Sequence, residues 1–386
     1  MTTTVRSVIR TSLLRAAAVP AFFIAASLTA QQPSEAGVSA AADAFIPTSF
    51  QARDVERSRF GSYVAIYHMA EGNSISLYDE SLRQVWRTRL AHYWPASVEQ
   101  GSVIQFAPDE SYVLFPGFRS ESDICVCDPR SGEPLEVLRG HEETVHVLAL
   151  STNGRLLLSA SHDELILWER VAGRFVLRDA IRDFGPSVHS AEFLPDGRRV
   201  VISTTDDQER AVSVYEIGAQ GLRSVFEHSL SDNNITHDIY QLAVSRSGSW
   251  FAAGYRESLM IFAVTGDEIR LDQTIEDIDL GVVYSLSFTP DDKHLVSGHF
   301  GYLRWWRSSS AGWTESATTS TQLPVANDVE FAADGRTLFV ASFADENAVG
   351  RYAVSGVDPS PVGVVSSTLG SLSAAQRAVL DERLVE

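Results

Sequence analysis

Ser161, His162 and Asp163 stand side by side and spell the residue types of a hydrolytic triad. Neighbours on a strand or tight turn project in different directions, so the three cannot converge as written. Two carboxylate pairs, Asp206-Asp207 and Asp291-Asp292, have the types for acid–base work. The first lies in a long loop and the second in a hairpin turn, where solvated turn acids are the simpler account. The ten His show no metal-ligand spacing: there is no H-E-x-x-H, no paired C-x-x-C and no calcium loop. No G-x-S-x-G, P-loop or dinucleotide fingerprint occurs either. No catalytic residue, metal or cofactor is therefore expected.

The elements that must position any site come from a repeat. The turn "STNGR" lies between two apolar runs, and related turns recur as "RSRFGSY", "FAPDESY", "FLPDGRR", "SRSGSWF", "FTPDDKH" and "FAADGRT". Their anchors Gly61, Glu110, Gly154, Gly197, Gly248, Asp292 and Gly335 recur every 43 to 51 residues. A unit of that length with four short strands is a propeller blade. After each turn come two further strands, the second ending in an aromatic or its substitute: Tyr78, Cys127, Trp168, Tyr215, Phe262, Trp306 and Tyr352. Blades stack face to face, which explains continuous apolar runs where a half-exposed strand would alternate. The expectation is an all-β fold, a seven-bladed β-propeller of four-stranded antiparallel blades, with a short C-terminal helix.

One repeat, Gly140 to Glu169, resembles the WD-repeat β-propeller family. Gly140-His141, Ser159, Asp163 and Trp168-Glu169 match that family's pattern. The resemblance implies a buried hydrogen-bonded chain through His141, Asp163, Trp168 and either Ser159 or Ser161, with a structural role. None of the other six repeats keeps both the Gly-His and the Trp-Asp ending; one ends Cys127-Asp128 and another Trp306-Arg307. The resemblance spans residues 50–355, strongly in one repeat and by period in the rest.

Closing the ring requires an outer strand for blade 7. Ala44 to Phe50 ("AFIPTSF") and Val362 to Ser367 ("VGVVSS") compete for it. The first is an N-terminal closure, the usual device in the resembled family, and Pro47 suits an edge strand. "SAAQRAVLDERLVE" then reads as a short helix, with Ser373 and Gln376 forming a capping box. Residues 1–42 read as signal or anchor plus linker, 43–367 as the propeller and 368–386 as the helical tail.

The chain has 386 residues and a formal charge of −19, with no long basic run. That balance disfavours nucleic-acid binding, which needs clustered Lys and Arg. The start carries Arg6, Arg10 and Arg15 without an acid, followed by the short apolar run Ala16 to Ala30. This reads as a secretory signal. Ala25-Ala26-Ser27 and Ala40-Ala41-Ala42 both suit cleavage; a mitochondrial transit peptide and a retained membrane tether through residues 16–30 are the alternatives. Cys125 and Cys127 are the only two cysteines and read as small apolar fillers, because bridging them closes a very tight ring.

One polar position stands out. Four residues before the turn anchors stand Phe106, Leu150, Phe193, Val244, Phe288 and Phe331, and four residues before these stand Ser102, His146, His189, Tyr240, Tyr284 and Asn327, with Arg53 nearest in blade 1. The first strand of a blade is innermost, so these would ring the mouth of the central channel. There they can grip a peptide or ligand, or simply be solvated. Tyr93-Trp94 and Trp313 are candidate interface anchors or local packing. Asn234-Ile235-Thr236 is a glycosylation acceptor pattern. The functional expectation is a non-catalytic, monomeric scaffold for a protein partner, exported to a secreted or periplasmic location. The rivals are a lactonase-like propeller hydrolase and a small-ligand or glycan sensor using the channel mouth.

Overall fold

Each blade is built from three antiparallel hairpin steps, and the computed structural model of the chain shows seven of them arranged as a ring. It describes residues 44–46, 52–68, 73–91, 103–205, 210–230, 239–255, 258–276, 281–332, 335–342, 349–355 and 362–364. The innermost strands are Ala52–Arg57, Gln105–Phe106, Val147–Leu150, Ser187–Phe193, Ile239–Val244, Ser285–Phe288 and Asp328–Phe331. In blades 1 to 6 the four strands hydrogen-bond in sequence order. The chain is thus the expected all-β, seven-bladed propeller. The expected C-terminal helix, residues 368–386, and the N-terminal segment 1–42 lie outside the described residues.

Both candidate segments close blade 7. Ala44–Ile46 pairs with Val349–Arg351 of the blade's third strand, and Val362–Val364 pairs with Val354 and Ser355 of the same strand. The two pair with different stretches of that strand.

The core divides by seam. Seven apolar clusters form, one between each pair of adjacent blades, such as Leu157, Ile166 and Trp168 packing on Tyr112 and Leu114 between blades 3 and 2. The second strands, Leu156–Ala160 for example, are buried on both faces. The turn anchors all take left-handed backbone angles. Five are Gly, and a Cβ on Gly248 would lie 2.8 Å from Pro195 of the preceding blade. Glu110 (φ 58°) and Asp292 (φ 59°) adopt the same conformation despite having side chains. Each offsets that strain with bonds to the preceding blade: Glu110 accepts from the Phe60 amide, and Asp292 from the Arg246 and Ser247 amides.

Two features were not legible in the sequence. In six blades the pairing of third and outer strands slips opposite the aromatic position, at Tyr78, Cys127, Trp168, Tyr215, Phe262 and Trp306. Such bulges twist an exposed edge and blunt its pairing with another chain. Cys125 and Cys127 are also not separate fillers: they form a disulfide. Their Cα atoms lie 5.7 Å apart, within the range that a disulfide spans.

Candidate functional site: the central channel and its seams

The inner strands alternate with period two. One set of side chains enters the seams between blades, and the other faces a central cavity of about 600 Å³. The cavity is lined by Asp54 and Glu56 from blade 1, Glu192 from blade 4, and Asp328 and Glu330 from blade 7, with Gln105, Gln241 and Ser287 completing its polar wall. Five carboxyl groups thus share one enclosure.

The enclosure sets their chemistry. Burial, and then the neighbouring carboxylates, hold Asp54, Glu56 and Glu330 well above the usual carboxylate range. Burial pushes Glu192 up to about 8, while the Val244 amide that it accepts partly opposes the rise. Asp328 is the carboxylate that adds most to the rise at Asp54. Asp54 Oδ2 accepts from the Val103 and Ile104 amides of blade 2 at 2.8 and 3.1 Å. Asp328 Oδ2 accepts from the Val55 amide of blade 1 at 2.9 Å. Among the described residues, no group of three or more His, Cys, Asp or Glu is arranged to hold a metal ion.

The acids were missed because they lie one and three residues from the expected ring. The sequence carries a signal for them: the polar-apolar alternation of "ARDVER" and "DVEF", whose acids fall at i and i+2. The expected ring itself is not assembled as a ligand site. Of its members with described side chains, His146, His189, Tyr284 and Asn327, none lines the cavity. They share the parity of the seam-facing residues. His146 is buried with Nε2 3.0 Å from the Val188 carbonyl of blade 4, and burial lowers its pKa to about 4, so it is neutral. Its Nδ1 lies 3.3 Å from the Thr144 carbonyl, so a neutral ring has one proton for two facing carbonyls. Asn327 Nδ2 donates to the Arg53 carbonyl of blade 1 at 2.7 Å. His189 sits at a register slip between Val188 and Ser190. Tyr284 packs edge-on against Phe300 with ring centroids 4.9 Å apart. For Tyr240 only the backbone, in its strand, is described, and Ser102 lies outside the described residues.

The polar inner-strand groups act instead as links from one blade to the next. Besides those named, Gln105 Oε1 accepts from the Leu150 amide of blade 3 at 3.1 Å, and Ser285 Oγ donates to the Ala326 carbonyl of blade 7 at 2.8 Å. Each link satisfies a buried backbone group that would otherwise cost about 1–3 kcal/mol.

In blade 3, Ser159 Oγ receives the Trp168 indole N–H at 2.8 Å and lies 2.7 Å from His141 Nε2. The expected acid is displaced by one residue. His141 Nδ1 lies 3.2 Å from Glu164 Oε2, not beside Asp163, and Ser161 Oγ also donates to that oxygen at 3.3 Å. The Glu164 side chain is buried beneath Arg182, with which it pairs. Asp163 is half-buried and uses its carbonyl to accept the Phe184 amide. Ser161, His162 and Asp163 do not converge: His162 is exposed and contacts Ser187. Blade 6 carries a second brace, with the Trp306 indole donating to Ser297 Oγ at 2.9 Å and His299 Nε2 2.8 Å from the same oxygen. Its His also stands in a Gly-His pair, Gly298-His299, but it follows the Ser by two residues where His141 precedes its Ser by eighteen. Trp313 is not a surface anchor; it is 2% exposed and packs against Trp250 and Phe288. Tyr93-Trp94 and Asn234 lie outside the described residues.

Comparison with known proteins agrees with this geometry. The WD40 family profile (WD domain, G-beta repeat) matches residues 132–168. Protein Atg16l2 of Mus musculus and of Homo sapiens are each 27% identical over 120 residues, 31% of this chain and 18% of their own length. The chain therefore aligns with only a small part of those relatives. Among solved structures, the RRP9 WD40 repeats superpose with a TM-score of 0.64 at 14% identity, covering 82% of this chain and 99% of that one. A chain of the mitotic checkpoint complex gives 0.65 at 17% identity, covering 88% and 99%. The Cps50 (Swd1) propeller of Myceliophteria thermophila gives 0.63 at 12%, covering 79% and 97%. The chain is a seven-bladed β-propeller with one repeat that matches the WD40 model, running from the outer strand of blade 2 to Trp168 of blade 3.

Proposed function

We propose that the chain is a non-catalytic protein-interaction scaffold, exported from the cytoplasm and acting as a monomer. The observation that carries this reading is the aromatic pair on the face where the inner strands begin. Phe300 is 48% exposed and is held edge-on by Tyr284. Exposed aromatics with fixed orientation are common anchors of protein interfaces. A closed ring holds such groups in place, so little conformational entropy is lost on binding. The charge of −19 favours a protein partner over nucleic acid.

Two features support export. Residues 1–30 have the basic start and short apolar run of a secretory signal. The Cys125–Cys127 disulfide suits an oxidising compartment. The interaction reading is tested by affinity capture with the mature chain from its own compartment, using Phe300→Asp on one face and Phe60→Asp on the opposite, hairpin face. Loss of a specific co-purifying protein with Phe300→Asp, and its retention with Phe60→Asp, is the expected result. Equal capture by both variants and the wild type removes this face as the contact.

A further inference from the structure

The inner strands set the channel wall in levels, and the level nearer the hairpin face carries three Glu. Glu56 and Glu330 stand on the adjacent blades 1 and 7. Glu192 stands on blade 4, which a ring of seven places opposite that seam. Blades 3 and 5 flank it at the same level with Ala149 and Ala243, whose small side chains leave that wall to the Glu192 carboxyl.

A second observation is independent of the acids. Ser190, two residues before Glu192 on the same strand, is 4% exposed and lines the cavity, yet its hydroxyl has no hydrogen-bond partner among the described residues. Glu56 and Glu330 likewise accept no hydrogen bond from the described residues. Buried polar groups are nearly always satisfied. The wall therefore holds acceptors that a guest with N–H groups can complete.

A single point charge does not suit this wall. Its carboxyls come from opposite sides, and among the described residues no three are arranged to hold a metal ion. The lining carries five carboxyls and three guanidiniums, those of Arg57, Arg59 and Arg246 toward the hairpin end, a formal balance of −2. The volume of about 600 Å³ lies in the range of small-ligand sites.

We propose that the central channel binds an elongated organic dication, a linear alkyl diamine, with one ammonium taken by Glu56 and Glu330 and the other by Glu192 with Ser190. Its charge matches the balance of the lining, its N–H groups meet the open acceptors, and its methylenes pass Ala149 and Ala243. Burial, and then repulsion among the carboxylates, hold Glu56 and Glu330 well above the usual carboxylate range, and a bound cation offsets that repulsion. The site lies inside the ring and is separate from the Phe300 face, so it stands or falls without the scaffold reading.

The test is calorimetric titration of the purified full chain with 1,4-diaminobutane. The comparison probes are n-butylamine and Mg²⁺, and the melting temperature is a second readout. The diamine should bind one-to-one, at least about tenfold tighter than n-butylamine, and should raise the melting temperature. Mg²⁺ should not compete with it. Glu192→Gln and Glu330→Gln should each weaken binding about tenfold or more, because each removes a charged acceptor. Asp267→Asn, at a surface acid, should leave binding unchanged. If one Gln variant fails to fold, the other carries the comparison, and the probe series on the wild type stands without either. The proposal is overturned by no saturable diamine binding at millimolar concentration, by equal affinity for n-butylamine, or by competition from Mg²⁺. Unchanged binding in a folded Gln variant, or an equal loss in Asp267→Asn, overturns it as well.

Discussion

Asn327 and Arg53 meet across the closing seam, the side-chain amide of one donating to the main-chain carbonyl of the other at 2.7 Å. An inner-strand residue that sequence placed at a channel mouth thereby acts as a bond between blades 7 and 1. Its removal leaves a buried carbonyl without that donor. Asn327→Ala should destabilise the fold by about 1–3 kcal/mol, read from the denaturant midpoint. Asn327→Asp should cost more at neutral pH, because it sets an acceptor against an acceptor. Midpoints equal to the wild type would contradict the seam assignment.

The blade 3 brace predicts a contrast between neighbouring acids. Glu164 accepts from His141, Ser161 and the Glu142 amide and pairs with Arg182. Glu164→Ala should therefore lower the melting temperature clearly, while Asp163→Asn should leave it nearly unchanged. The reverse order would restore the acid expected from the resemblance.

Two Ser residues with the same partner types allow a comparison across the ring. Ser159→Ala removes the acceptor of Trp168 and a partner of His141; Ser297→Ala does the same to Trp306 and His299. Each should cost about 1–3 kcal/mol, and the double variant should show near-additive loss because the blades are well separated. Trp168→Ala, which also empties a core site, should cost about 3–5 kcal/mol. Chemical denaturation of the four variants checks all of these.

Two sets of groups give opposite pH slopes. His141, His146 and His299 are held near 4 by burial, below the roughly 6.5 of an unfolded His. Their contribution is complete above pH 6.5 and is lost as pH falls toward 4. Glu192 is held at about 8, above the roughly 4.3 of an unfolded Glu. Its contribution is complete below that lower value and is lost as pH rises through 8. Relative to the wild type, His146→Gln should gain stability as the solution is acidified from pH 6.5. Glu192→Gln, which keeps an acceptor for the Val244 amide, should gain as pH is raised from 5 to 9. Melting curves at half-unit pH intervals separate the two.

The disulfide gives a chemical count. Protein isolated from an oxidising compartment and denatured without reductant should show no free thiol, and two after reduction. Two thiols before reduction would count against both the bridge and export.

The ring was legible because blade number depends on local signals repeated along the chain. Turn anchors at Gly61, Gly154, Gly197, Gly248 and Gly335 need left-handed backbone, and each is followed by an apolar strand. Even the two exceptions, Glu110 and Asp292, kept the spacing. The brace through His141, Ser159 and Trp168 could likewise be named from one repeat, although the acid fell one residue late because a turn decides which of two adjacent carboxylates points inward.

The channel was not legible, and the reason is the two-residue period of a strand. A step of one residue moves a side chain from seam to cavity. His146 and Asn327 fall on the seam side; Asp54, Glu56, Glu192, Asp328 and Glu330 fall on the cavity side. Both sets are polar, so composition does not sort them. What a polar inner-strand residue meets depends on the next blade, some forty residues away or, for Asn327 and Arg53, at the other end of the ring. Local pattern thus establishes how many blades there are, whereas the chemistry between them exists only once the circle is closed.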